Sequence, residues 1–218
     1  MDQERNRIRR LRPAYSGAIF DALRAMGRPE QALPNAIKPL EVGWKVVGPA
    51  YPVEGRPEEG LDAHESLLQW TGMLSKTPAG YVAVCQPNDS ELSHMGELSA
   101  ETFKKRGVLG YVVDGGCRDT DFIARIGFPV FCRYTTPADI VGRWRAETFG
   151  EPVDIGGVRI RRDDWIFADR DGAVAIPREL LDDVVEEVER VLNTENKVRA
   201  SIMEGEDPQQ AYMKYGKF

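Results

Sequence analysis

Apolar positions recur in two rhythms along this chain, and the places where the rhythm changes mark its elements. A helical spacing predicts an amphipathic helix over 16–26, then the strand Trp44 to Val47, punctuated by Gly43, Gly48 and Pro49. His64 to Leu74 reads as a second helix, and Tyr81 to Val84 as a strand after Pro78-Ala79-Gly80. A third helix opens at Gly96-Glu97-Leu98-Ser99 and ends between Gly107 and Gly110, where the apolar run Val108 to Val113 becomes a buried strand. Phe122, Ile123 and Ile126 define a short helix from Thr120 to Arg125, with Asp119 and Thr120 as cap candidates, and Pro129 to Cys132 is the next strand. From Val130 to Ile176 the pattern changes to short strands, with turns at Gly156-Gly157, Asp163-Asp164 and Asp171-Gly172. That half reads as antiparallel. Leu180, Leu181, Val184, Val185, Val188, Val191 and Leu192 then form the apolar stripe of a long C-terminal helix, with Asp182, Asp183, Glu186 and Glu187 opposite. The pattern predicts an α/β fold with a mixed sheet in a single domain over 1–218, with an N-terminal arm at 1–15 and a C-terminal helical extension at 178–218.

Composition narrows the class. With 218 residues, 42% of them hydrophobic, the chain is long enough to bury one sizeable core. A net charge of −6 and only short basic clusters argue against a nucleic-acid surface, which needs concentrated Lys and Arg. The first dozen residues are charged and no apolar run approaches the roughly 18 to 20 residues that span a bilayer, so the expectation is a cytoplasmic protein without a membrane partner. Cys85, Cys117 and Cys132 lack metal-binding spacing and fit reduced thiols.

The candidate chemistry lies between Met95 and Arg133, where an acid, an arginine and an aspartate stand at the ends of ordered elements. Arg118 carries a planar fork suited to a carboxylate or a polarised carbonyl, although a surface salt bridge is the commoner use of a lone Arg. Asp119 has the character of a hard-metal ligand, for Mg²⁺ or Mn²⁺ takes one or two carboxylates and keeps several waters; it is equally a helix-cap residue. Glu97 can hold a water on such a metal, or simply favour the first turn of its helix through the dipole. Cys117 has no His at motif spacing to activate it as a nucleophile. Lys45, the one lysine within a clear strand, sits where an outward-facing position serves as well as a Schiff base.

An acid, twenty residues, then Arg-Asp (Glu97 to Arg118-Asp119) is embedded here in G-E-L, R-G-V-x-G and D-G-x-x-R-D followed by G-F-P-V-F. In this the chain resembles the RraA-like family of metal-dependent 4-hydroxy-4-methyl-2-oxoglutarate and 4-carboxy-4-hydroxy-2-oxoadipate aldolases and ribonuclease E regulators. The resemblance extends to Asp21-Ala22-Leu23, Ile37-Lys38-Pro39-Leu40, Gly48-Pro49-Ala50, His64, Gly80 to Val84 and Ala168 to Gly172. It implies a swivelling β/β/α sandwich assembled as trimers or hexamers. It also implies that Asp119 binds a divalent metal, that Arg118 contacts the pyruvyl group, and that the amides of Leu98, Ser99, Ala100 and Glu101 hold the substrate carboxylate. By the same resemblance Glu97 and, from a neighbouring subunit, Glu195 orient waters on the metal. The implied reaction is retro-aldol cleavage of a 4-hydroxy-2-oxo acid to pyruvate, with oxaloacetate decarboxylation as a side activity. The chain departs from the family in having Glu where the acid is often Asp, and in a loop from Cys85 to His94 that is not glycine-rich. The alternative is the role of the short family members, non-catalytic binding to a ribonuclease; the extension carrying Glu195 favours the aldolases. No G-x-G-x-x-G turn supports a methyltransferase.

Overall fold

The computed structural model of the protein describes residues 2–217. Helices α1 (Asp2–Leu11) and α2 (Ser16–Ala25) precede β1 (Lys38–Pro39) and the long β2 (Val46–Pro57). Then come α3 (Ala63–Lys76), β3 (Val82–Gln86), α4 (Glu97–Lys105), β4 (Gly110–Val113), β5 (Gly116–Cys117), α5 (Thr120–Ile126), β6 (Val130–Cys132) and β7 (Tyr134–Thr135). The second half holds β8 (Trp144–Phe149), β9 (Val153–Ile155), β10 (Val158–Ile160), β11 (Trp165–Asp169), β12 (Gly172–Ile176), α6 (Leu181–Met203) and α7 (Pro208–Tyr215).

The main sheet has the order β1-β6-β4-β3-β2-β11-β12, with β8 also pairing β2. Strands β2, β3, β4 and β6 run parallel, joined by α3, α4 and α5 as crossovers; β1, β8, β11 and β12 are antiparallel additions. The sheet nearly closes on itself, because residues 31–33 pair with β12 just before the chain enters β1 at the opposite edge. This is the mixed-sheet α/β architecture expected, with antiparallel pairing in its second half. Two elements differ from expectation. The strand expected at 44–47 is the twelve-residue β2, in which Gly48 and Pro49, read as punctuation, sit inside a strand that also holds Pro52 and Gly55 and has a register shift at Glu54/Gly55. The expected N-terminal arm contains the helix α1, docked on α6 by two guanidinium forks: Arg7 on Asp182 at 2.8 and 2.7 Å, Arg10 on Glu189 at 2.8 and 2.7 Å.

Period-two alternation sorts the strands' side chains between cores. Val82, Val84, Val112, Phe131, Ile166 and Ala168 point into the inner core. Ala83, Cys85, Tyr111, Val113 and Val130 pack under α3, α4 and α5 with Trp70, Met73 and Phe103. Trp165, Phe167, Val174 and Ile176 face a third layer made by α1, α2 and the Leu181–Val191 stripe of α6. A strand buried on both faces reads as a continuous apolar run, which is why β3 and β4 were visible in sequence. Among the described residues no helix is long and apolar enough to cross a membrane.

Candidate active site

Parallel strands deliver their following loops to one end of a sheet, and that end is where α/β proteins bind ligands. Here the loop after β3 carries Ser93, Met95 and Gly96 to the start of α4, the segment after β4 carries Arg118 and Asp119 just beyond the short β5, and the segment after β6 carries Asp139 beyond the short β7. Backbone bonds lock the three together. His94 N–H donates to Gly116 O at 2.9 Å, Arg118 N–H to Met95 O at 2.9 Å, Ser93 N–H to Ala138 O at 2.7 Å and Thr136 N–H to Cys117 O at 3.0 Å.

Asp119 stands at the N-cap position of α5 but does not cap that helix with its side chain, and its backbone is left-handed, at φ 55°. A non-glycine residue in that region is strained and warrants a functional explanation. Its carboxylate instead crosses to α4: the Glu97 N–H donates to Asp119 Oδ2 at 3.1 Å, and Arg118 Nε lies 3.5 Å from the same oxygen. Asp119 Oδ1 has no hydrogen-bond partner among the described residues. The approach needs Gly96, because a Cβ there would lie 2.6 Å from Asp119 Oδ2 and 3.3 Å from Arg118 Nε. Arg118 Nη1 reaches Asp139 Oδ2 at 3.4 Å, and Arg143 braces Asp139 from the other side at 3.2 Å. Asp139 was missed in the sequence because it lies in a strand-poor stretch with no motif; the Asp–x–x–x–Arg spacing to Arg143 was its only signal.

These residues line one cleft of about 420 Å³, shared by α3, the start of α4, the Arg118-Asp119 corner and Asp139 to Val141. Glu97 is half-buried and its carboxylate has no partner among the described residues. Ser99 Oγ accepts from Trp70 Nε1 at 2.9 Å, and Leu98 is 76% exposed at the rim. Of the four amides expected to hold a carboxylate, Ala100 N–H is committed to Gly96 O at 3.0 Å, and Glu101 lies a residue further into the helix, where amides bond within the turn. Among the described residues the amides of Leu98 and Ser99 have no acceptor, the condition for an anion site at a helix start.

Glu195 is not in this cleft in its own chain. It lies on α6, where the Tyr15 hydroxyl donates to its carboxylate at 2.7 Å and Lys217 Nζ stands 3.9 Å away. Burial, then the bond to Glu195, pushes the Tyr15 phenol up to about 12. The three cysteines are free and buried, and the Cys132 thiol together with burial pushes Cys117 upward, away from any nucleophilic role. Lys45 donates to the carbonyls of Arg12 and Ala14 and stands 5.5 Å from the centre of the Phe167 ring, tying down the N-terminal segment away from the cleft. His94, Arg133, Tyr134 and Trp144 do not line the cleft.

Among the described residues no three His, Cys, Asp or Glu side chains converge as a ready metal cage. One carboxylate with a free oxygen, a second unpartnered carboxylate nearby and space around them is the donor set for Mg²⁺ or Mn²⁺, which keep most of their coordination as water and substrate. The residues present therefore fit such an ion, with Asp119 holding it and Glu97 beside it.

The family model described as RraA-like, Aldolase/RraA, matches residues 16–175, a span that contains the whole cleft. The chain belongs to the RraA-like family. A relative from Halalkalibacterium halodurans named "Putative 4-hydroxy-4-methyl-2-oxoglutarate aldolase" is 29% identical over 183 residues, covering 84% of this chain and 82% of that protein. Protein DlpA of Legionella pneumophila is 33% identical over 215 residues, 96% of this chain; the chain spans only 34% of that protein's length. Among solved structures, Streptomyces coelicolor RraAS2, described as an unusual member of the RNase ES inhibitor RraA protein family, superposes with a TM-score of 0.79 at 27% identity, over 88% of this chain and 96% of that one. RraA-like relatives thus carry both aldolase and ribonuclease-inhibitor names.

Proposed function

We propose that the protein is a divalent-metal-dependent pyruvate aldolase that cleaves a 4-hydroxy-2-oxo acid. The observation that carries this reading is the Asp119 corner: a strained aspartate whose carboxylate is aimed, across an obligatory glycine, at the start of α4 beside Arg118. A bound Mg²⁺ or Mn²⁺ supplies Lewis acidity next to the 2-oxo group. The chain's own residues do the rest. Leu98 and Ser99 N–H groups hold the substrate carboxylate, and the Arg118 fork faces the 2-oxo oxygen, where negative charge grows as the C3–C4 bond breaks. Glu97 takes the 4-hydroxyl proton through a water, C4 leaves as a carbonyl, and the electron pair passes into the pyruvate enolate. A proton then returns to C3 to give pyruvate. Asp139, braced by Arg143, keeps Arg118 in place. In a trimer or hexamer Glu195 of a neighbouring copy completes the set of acids, and oxaloacetate decarboxylation, which passes through the same enolate, is a side activity.

The test is exchange of the pyruvate methyl protons with deuterium, followed by NMR with Mg²⁺ or Mn²⁺ and again with EDTA. Metal-dependent exchange is the expected result, because it requires enolate formation and no knowledge of the rest of the substrate. A folded, metal-loaded protein that gives no exchange would overturn the reading and favour the second one, a ribonuclease-binding role, to which the likeness to RraAS2 points.

A further inference from the structure

Hydroxyl groups line the cleft alongside its charges, and most of them are spent. The Ser93 hydroxyl donates to Met95 O at 2.9 Å, Thr71 to Leu67 O at 2.8 Å and Thr102 to Leu98 O at 2.7 Å, so each gives its one proton to a backbone carbonyl. Ser75 is exposed at the far end of α3. Ser99 differs from all of these. Its oxygen is an acceptor, taking the Trp70 indole N–H at 2.9 Å, and its proton has no acceptor among the described residues.

An indole nitrogen can only donate, so this bond sets the direction of the serine hydroxyl: a lone pair faces Trp70 and the proton is turned away from it. Trp70 is itself fixed. It lies on α3, is 7% exposed, and packs edge-on against Trp144 at 6.1 Å between ring centroids. Ser99 belongs to the first turn of α4 and also carries one of the two amides without an acceptor, next to Leu98 with the other. A carboxylate oxygen only accepts, and bonds to an ionised acceptor are the stronger kind. We infer that the Ser99 hydroxyl is a further donor to the substrate's carboxylate, and that Trp70 is the positioning residue that aims it. This rests on the retro-aldol reading and adds to it a side chain by which the cleft selects an oxyanion.

The experiment is a double-mutant cycle on the full, metal-loaded chain, with deuterium exchange into pyruvate as the readout. Ser99→Ala keeps the amide and removes the hydroxyl. It should raise KM for pyruvate about tenfold and change kcat less than about twofold, because a bond to the carboxylate is made equally before and after enolate formation. Trp70→Phe keeps an aromatic ring and releases the hydroxyl; it should raise KM about threefold alone and not at all beside Ser99→Ala. Ser99→Ala leaves the indole N–H without its acceptor. Should a melting curve show that variant unfolded, the Trp70→Phe/Ser99→Ala double variant, which removes both partners, takes its place and should show a KM about threefold above that of Trp70→Phe. An unmoved KM in either comparison overturns the inference, and an equal rise from Trp70→Phe in both backgrounds overturns the part given to Trp70. Exchange by the wild-type chain with no effect of Ser99→Ala sinks this inference alone, whereas absence of wild-type exchange sinks the aldolase reading and this inference together.

Discussion

Asp119 and Glu195, two acids given related roles by family resemblance, are held in opposite ways. Asp119, with a side chain 39% exposed, is steered by a backbone amide at 3.1 Å and a guanidinium at 3.5 Å, and one of its oxygens is unused. Glu195, 15% exposed, is gripped by the Tyr15 hydroxyl at 2.7 Å from a residue far away in sequence. An acid meant to bind a ligand within its own chain keeps spare acceptor capacity. On the proposed reading Glu195 is presented to a neighbour, so its orientation would need fixing before the neighbour arrives, and the Tyr15 bond would supply that.

The sharpest way to break the contrast is Asp119→Asn. The shape is kept and the charge is lost, so pyruvate exchange should fall on the order of 10²–10³-fold, as it does when a preorganised electrostatic group is removed. Stability should barely move, since two long contacts to a partly exposed carboxylate contribute little. Exchange measured by NMR alongside a melting curve checks both halves, and an Asn variant with undiminished exchange would leave Asp119 as a helix-start tether only.

Glu195→Gln should act more weakly, slowing exchange about tenfold, the scale on which groups orienting a metal's other ligands act. Tyr15→Phe, which releases the carboxylate without removing it, should give a two- to threefold loss. If Glu195→Gln lowers the melting temperature and leaves exchange intact, the acid is an anchor between α2 and α6, and its role in a neighbouring cleft is lost.

The same contrast explains what could be read in the sequence. Glu97, Arg118 and Asp119 were legible because local signals placed them: a glycine before a helix, an apolar run ending in a loop, and a spacing set by one helix and one strand. The parallel core was legible as apolar runs. Asp139 and the committed Ala100 amide were not, because they depend on how three loops meet. The Glu195–Tyr15 pair was invisible for a similar reason, since a contact across most of the chain leaves no mark in spacing. In β2 the local signals were misleading: its Gly and Pro residues mark turns elsewhere, but here neighbours on both edges hold them in a strand.

His94 offers the finest test of how tightly the cleft's floor is held. Its ring is fully buried, both nitrogens lack hydrogen-bond partners among the described residues, and Asp89 Oδ2 lies 3.6 Å from Nε2. Burial pulls its pKa down to about 4, with Asp89 opposing. In the unfolded chain a histidine titrates near 6.5, so between about pH 6.5 and 4 the unfolded state binds the extra proton. Stability is therefore untouched above pH 6.5 and falls as pH drops through that window, on the order of 1 kcal/mol by pH 5.5. Urea unfolding at pH 7 and 5.5 should show this slope in the wild-type chain and a flatter one in His94→Phe, which keeps the ring's contact with Trp144, 5.2 Å between centroids. A slope that survives in His94→Phe would mean that other groups carry the pH dependence and that burial of this ring does not set it.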